Sequence, residues 1–200
     1  MKNNFIIAIG LAAAFLQMPA PVSAQSSGAS RQNPLLHNSS LPFGAPDFSR
    51  IQEADYLPAI EAGIKEQREN ISKIVNNKKK PTFQNTILAY EESGNLLDRV
   101  SSVFFGLTSA HKTPVIAETE KKVMQQLTDL DNEISFNQQL FERIKYVYDN
   151  EYKKLKGEDQ RLTEKIYKGF VRSGALLPTE KMERMKQINS RISELQQQWG

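Results

Sequence analysis

The chain has no cysteine among its 200 residues. Disulfides, thiol catalysis, thiolate-held zinc and lipid attachment through a leader cysteine are excluded with it. Histidine occurs only as His37 and His111, and neither has a second histidine or a carboxylate at zinc-ligand spacing. HExxH, GxSxG, a glycine-rich phosphate loop and an EF-hand loop are all missing. Charge of one sign is scarce as well: the formal net charge is +3, and +2 without Lys2. A balance of that kind argues against a nucleic-acid surface, and the basic pI reflects a small lysine excess spread along the chain. No segment alternates apolar and polar residues in the manner of a strand, and no internal repeat occurs. Only one long apolar run exists, from Phe5 to Leu16, with Lys2 ahead of it and Val22-Ser23-Ala24 behind. Its length of about 12 residues falls short of the roughly 20 that span a bilayer. Residues 1–24 therefore read as a signal peptide cut after Ala24, and the mature protein is expected to be exported to the periplasm with no membrane segment.

What is present reads as helix. After a polar, Ser-rich stretch, 33–48 (NPLLHNSSLPFGAPDF) carries three prolines and a glycine among Leu35, Leu36, Leu41, Phe43 and Phe48. That composition predicts an extended arm over 25–54, its apolar residues lying in a groove on the helices. A first helix is expected over 55–75, with Leu57, Ile60, Ile64, Ile71 and Ile74 inward and the lysines Lys78 to Lys80 closing it at the carbonyl end. The stretch 81–110 is the most hydrophobic of the mature chain. Thr82 is placed to cap it, and Phe83, Ile87, Tyr90, Leu97, Val100, Phe104 and Leu107 share one face, so it reads as the core helix. Gly94 interrupts it and predicts a bend or a close crossing. Thr113-Pro114 opens the next helix, with Val115, Ile116, Val123, Leu127 and Leu130 inward. A further helix spans 136–155 (Leu140, Phe141, Ile144, Val147, Tyr148, Tyr152). Another runs over 158–173 and is closed by Gly174. The last begins at Pro178-Thr179, and Met182, Met185, Ile188, Ile192, Leu195 and Trp199 form its apolar stripe. The expectation is an all-α domain of about six helices over 55–200.

Little catalytic chemistry is on offer. Glu91-Glu92 reads as a solvated helix face, and Glu158-Asp159 as negative charge favoured in a first turn, rather than as acid–base pairs. His111 reads as a helix-end residue. Tyr146, Tyr148 and Tyr152 fall at helical spacing and read as packing, because no basic groove accompanies them to make a base-stacking platform. No residue is assigned a catalytic, cofactor-binding or metal-binding role.

Longer segments are more specific. NPLL, LPFGAPDFSRIQEADYLPAIEAGIKEQ, PTFQNTILAYEESGNLLDRVSSVFFGL, LFERIKYVYD and IYKGFVRSGALL, in that order, resemble the N-terminal region of the zinc metallopeptidases of the thimet oligopeptidase, neurolysin and oligopeptidase A family. The arm and the PAIEAG that follows resemble the bacterial peptidyl-dipeptidase branch. The resemblance implies a two-lobed, nearly all-helical protein around a deep channel, in which the matched segments form part of a wall. It implies a zinc held by two histidines of an HExxH helix and a later glutamate, with the motif's glutamate activating water. Short unfolded peptides are the implied substrates, losing dipeptides from their C-termini. The chain departs from that pattern in lacking HExxH, so no residue inherits a metal or catalytic role and no cofactor is expected for this chain. The stripe still running at Trp199 reads as a helical region truncated before a catalytic domain, inactive alone. The competing reading is a stand-alone periplasmic helical module that binds peptides or a protein without catalysis.

Overall fold

A computed structural model describes residues 31–199, with burial through Gln196. The signal-peptide reading of 1–24 and the polar stretch to residue 30 lie outside the described residues. The described residues from Asn33 onward belong to one compact unit, the second of the two into which the chain divides. The described residues of the second unit form six long α-helices and no strand, so the all-α expectation holds.

Helix α1 is Glu53–Val75. It starts two residues earlier than the apolar spacing suggests, because the Gln52 N–H donates to the Asp55 carboxylate at 2.7 Å and settles the first turn. Pro58 sits in its second turn, solvent-exposed. Ile60, Ile64, Ile71 and Ile74 are buried, as their spacing requires, and Leu57 packs partly against the core. The helix ends with Asn76 as its C-cap. Lys78 to Lys80 follow the helix end and are exposed. Lys80 stands over the Tyr146 ring at 5.5 Å.

The stretch 81–110 is not one helix. It runs through a π turn, Phe83–Leu88, a helical turn, Ala89–Glu91, and a 3-10 turn, Glu92–Gly94, before helix α2, Asn95–Ala110. Thr82 caps the start as expected, in a reciprocal pair: its hydroxyl accepts from the Asn85 N–H at 3.2 Å, and its N–H donates to the Asn85 side chain at 2.9 Å. The break comes from Ser93 as much as from Gly94. The Ser93 hydroxyl donates to the Tyr90 carbonyl at 2.7 Å, and the Ser93 carbonyl accepts from Asn70 on α1; such bonds compete with the regular ladder. The closest crossing is at another glycine. A Cβ on Gly63 would stand 2.8 Å from the Leu97 Cα, so α1 and α2 meet backbone to backbone there. Around that crossing Ile60, Ile64, Leu97, Val100 and Phe104 are buried, and the Tyr56 and Phe104 rings lie 5.3 Å apart.

Helix α3 is Pro114–Ser135, with Thr113 capping Ile116. Ile116, Val123 and Leu130 are buried, joined by Ile134 and Asn132. Val115 is 55% exposed and does not face the core; at the second helical position it lies one residue, or about 100°, off the Ile116 face. Helix α4, Gln138–Asn150, and helix α5, Gly157–Ser173, pack together. Phe136 and Tyr152 lie outside these helices, in the flanking turns, so the expected span 136–155 is shortened at both ends. Gly174 ends α5 in the left-handed conformation at φ 101°. Helix α6, Thr179–Trp199, lies against α3. A ladder of rings joins α4, α5 and the start of the interrupted helix. Tyr148 stacks on Tyr167 at 4.0 Å, and Phe170 meets Phe141 at 6.1 Å and Tyr90 at 5.5 Å.

Candidate interaction surfaces

Chemistry by metal or by paired titrating groups finds little support. His37 follows the arm's first turn and His111 caps the C-terminal end of α2; both are exposed. Among the described residues no three of His, Asp and Glu gather as a ligand set. Glu91 and Glu92 are exposed on the interrupted stretch, and Glu158 and Asp159 in the first turn of α5. Among the described residues the one large pKa displacement is that of Tyr90. Burial pushes its phenol up to about 12, and Asp131, Glu91 and Asp98 add to the effect. A phenol held neutral in that way is a packing group and not an acid or base at neutral pH. On the surface, the Lys168 ammonium holds the Glu164 carboxyl below its ordinary value.

Two surfaces stand out. The first is the arm. Its base is fastened: Leu35 is buried, the Asn33 amide donates to the Asp55 carbonyl at 2.8 Å, and the Arg99 guanidinium donates to the Leu35 carbonyl at 3.2 Å and to Asn38. Its tip is different. Leu36, Leu41, Phe43 and Phe48 are exposed, so the expected groove covers only Leu35. Phe43 is the sole non-glycine residue with positive φ among the described residues, at φ 59°. That conformation costs an aromatic residue about 1–2 kcal/mol, and the residue is 107% exposed. The only sequence signal was the Pro42-Phe43-Gly44 turn, which marks a bend but not its handedness.

The second surface is α6. The helix docks on α3 through a polar seam. The Asn189 amide donates to the Asn132 side-chain oxygen at 2.7 Å, and the Thr128 hydroxyl donates to Ser193 at 3.0 Å. Met182 is buried at its start. Ile188, Ile192 and Leu195 point away from that seam and are exposed, the last two adjoining a terminus whose side chains, Trp199 included, lie outside the described ones. Elsewhere, α1 and the turn from α3 to α4 border a shallow recess of 270 Å³, lined by Arg68, Ile71, Asn76, Glu133 and Asn137 among others. Arg68 and Glu133 bridge it at 2.8 Å.

Fastening elsewhere is structural. Arg143 on α4 donates to the Asn77 carbonyl at 2.8 Å and to Asn85 at 3.2 Å, and the Glu151 carboxylate accepts from the Phe83 N–H at 3.0 Å. Together they clamp the loop before the π turn. Sequence spacing held no sign of these long-range bonds.

No protein-family model matches the chain. Over 169 residues it is 39% identical to the dipeptidyl carboxypeptidase of Salmonella typhimurium and 38% identical to that of Escherichia coli, a segment that is 84% of this chain and 25% of each relative. Oligopeptidase A of Escherichia coli is 27% identical over the same length, 84% of this chain and 24% of that protein. The segment is homologous to dipeptidyl carboxypeptidases and to oligopeptidase A, a likeness consistent with the thimet oligopeptidase family. The identity is higher to the dipeptidyl carboxypeptidases than to oligopeptidase A. It spans about a quarter of the length of the curated relatives it matches.

Proposed function

We propose that this chain is the helical N-terminal part of an exported zinc metallopeptidase of peptidyl-dipeptidase type, forming a wall of the channel that admits short unfolded peptides. The observation that carries the reading is the 39% identity to a dipeptidyl carboxypeptidase along 84% of the chain. Two features of the chain agree with it. Its chemistry-bearing side chains make no ligand set among the described residues, so zinc and the water it activates belong, in this reading, to the portion the relatives carry outside the matched segment. Its exposed large apolar residues also concentrate on the arm tip and α6, where a further part of a peptidase would cover them. The role of these residues is then to shape and support, not to move protons or bonds.

The test is a peptidase assay on the purified chain with a blocked peptide, added zinc and a chelator control. Helical circular dichroism without turnover is the expected result. Chelator-sensitive release of C-terminal dipeptides would overturn the division of labour, and His37 and His111 would be the first residues to substitute. The recess between α1, α3 and α4 favours a second reading, peptide binding without catalysis. Saturable peptide binding lost on Arg68→Ala would support it.

A further inference from the structure

We propose that Phe43 is a docking anchor that seats in an apolar pocket of the peptidase portion which the relatives carry outside the matched 169 residues; this rests on the reading given above. The loop 41–48 is built to hold its shape. The Gly44 N–H donates to the Leu41 carbonyl at 3.0 Å, the Ala45 N–H to Pro42 at 3.2 Å, and the Arg50 N–H to Asp47 at 3.0 Å. Pro42 and Pro46 fix two further backbone angles. The Asp47 carboxylate accepts from the Ser49 hydroxyl at 2.6 Å. Behind the loop, Asn33 and Arg99 tie the arm to α1 and α2.

Yet the aromatic at the tip touches no part of this unit, since Phe43 is fully exposed, and its backbone is in the left-handed region. A glycine there would be unstrained and would lose no contact. The Phe43 side chain thus gives the unit nothing, while a rigid loop offers it outward with its ordering cost already met. Leu41 and Phe48 flank it, both exposed, and 41–49 holds no basic residue and one carboxylate, already bonded to Ser49. The one cation adjoining 41–49 in sequence is Arg50, too little charge to hold a nucleic acid or an anionic membrane, whereas an apolar protein pocket does find its match. Three quarters of each matched relative lies outside the segment they share with this chain, and that is the occupant the proposal names.

The experiment has two arms. In the 200-residue chain itself, Phe43→Gly should leave Tm unchanged or raise it; a fall would show that Phe43 packs on its own unit and overturn the proposal. In the second arm, the matched segment of Salmonella typhimurium dipeptidyl carboxypeptidase is exchanged for that of this chain. Phe43→Ser in that exchange protein should lower Tm by about 2 °C, and Phe43→Tyr should not. If Phe43→Ser matches the parent exchange protein, the anchor is overturned and the wall reading stands. If the parent exchange protein neither unfolds cooperatively nor releases dipeptides, the wall reading fails and the anchor with it. Sedimentation showing that the isolated chain is a dimer which Phe43→Ser dissociates would make a second copy the occupant, again overturning the proposal.

Discussion

Helices α1 and α2 cross so closely at Gly63 that a Cβ there would stand 2.8 Å from the Leu97 Cα, whereas α6 lies on α3 through asparagine, serine and threonine and leaves its isoleucines exposed. Both pairs come from helices with a clear apolar stripe. At the first crossing the stripe and the partnered face coincide: Ile60, Ile64, Leu97, Val100 and Phe104 are buried, and Gly63 removes the last side chain in the way. On α6 they differ by one residue step. Asn189 and Ser193 take the seam, and Ile188 and Ile192, each one position away, are left exposed. One step rotates a helical face by about 100°. Periodicity therefore identifies which face of a helix is apolar, but not which face finds a partner within the unit.

That difference predicts a steep gradient of mutational cost. Phe104→Ala at the first crossing should cost about 3–5 kcal/mol, since the ring is fully buried against Tyr56 and leaves a cavity that packed helices cannot close. Urea unfolding followed by circular dichroism would measure it, and a loss under about 1 kcal/mol would mean that the crossing is far looser than its geometry. The unit should also weaken in alkali. Tyr90 titrates near 12 when folded and near 10 when unfolded. Between those values the unfolded chain releases a proton that the folded chain keeps, so the stability present below pH 10 is lost as pH rises toward 12. At about 1.4 kcal/mol per pKa unit the full loss is on the order of 2–3 kcal/mol. Tyr90→Phe should flatten that slope in unfolding curves taken from about pH 9 to 12.

Much of this was legible in residue order. The six helices, the Thr82 and Thr113 caps, the Gly174 stop and the bend near Gly94 follow from local rules that act within a few residues. The π turn after Thr82 did not, because Arg143 and Glu151, more than fifty positions away, hold it. Gly63 was silent for the same reason: a glycine inside a helical pattern looks like a lost propensity until Leu97 is seen against it. On the arm, proline and glycine announced turns but could not say that Phe43 would take the left-handed position. Tertiary partners decided each case, and residue spacing carries no information about partners.

A smaller effect separates crossing from seam. Gly63→Ala adds one methyl at 2.8 Å from the Leu97 Cα, which forces α1 and α2 apart at about 1–3 kcal/mol, partly offset by alanine's helix propensity. Asn132→Ala beneath α6 removes a partner from the Asn189 amide, a half-buried donor that water can still reach. Its cost should be about 1 kcal/mol, and the double-mutant cycle with Asn189→Ala would isolate the shared bond.

The smallest effect belongs to the outward stripe of α6. Ile188 and Ile192 are 40% and 48% exposed, so burying them contributes little that serine would forfeit. Ile188→Ser and Ile192→Ser should each change stability by no more than about 0.5 kcal/mol, although their aliphatic character matches that of Ile60 or Ile64. Solubility should rise, since the pair breaks a contiguous apolar strip. The measurement is a urea midpoint for the double variant at two protein concentrations at least tenfold apart. Equal midpoints close to those of the parent chain would establish that the stripe has no partner in the isolated protein. A parent midpoint that climbs with concentration, lost in the double variant, would mean that the stripe pairs with its like, and the contrast between α2 and α6 would then be one between a partner inside the chain and a partner outside it.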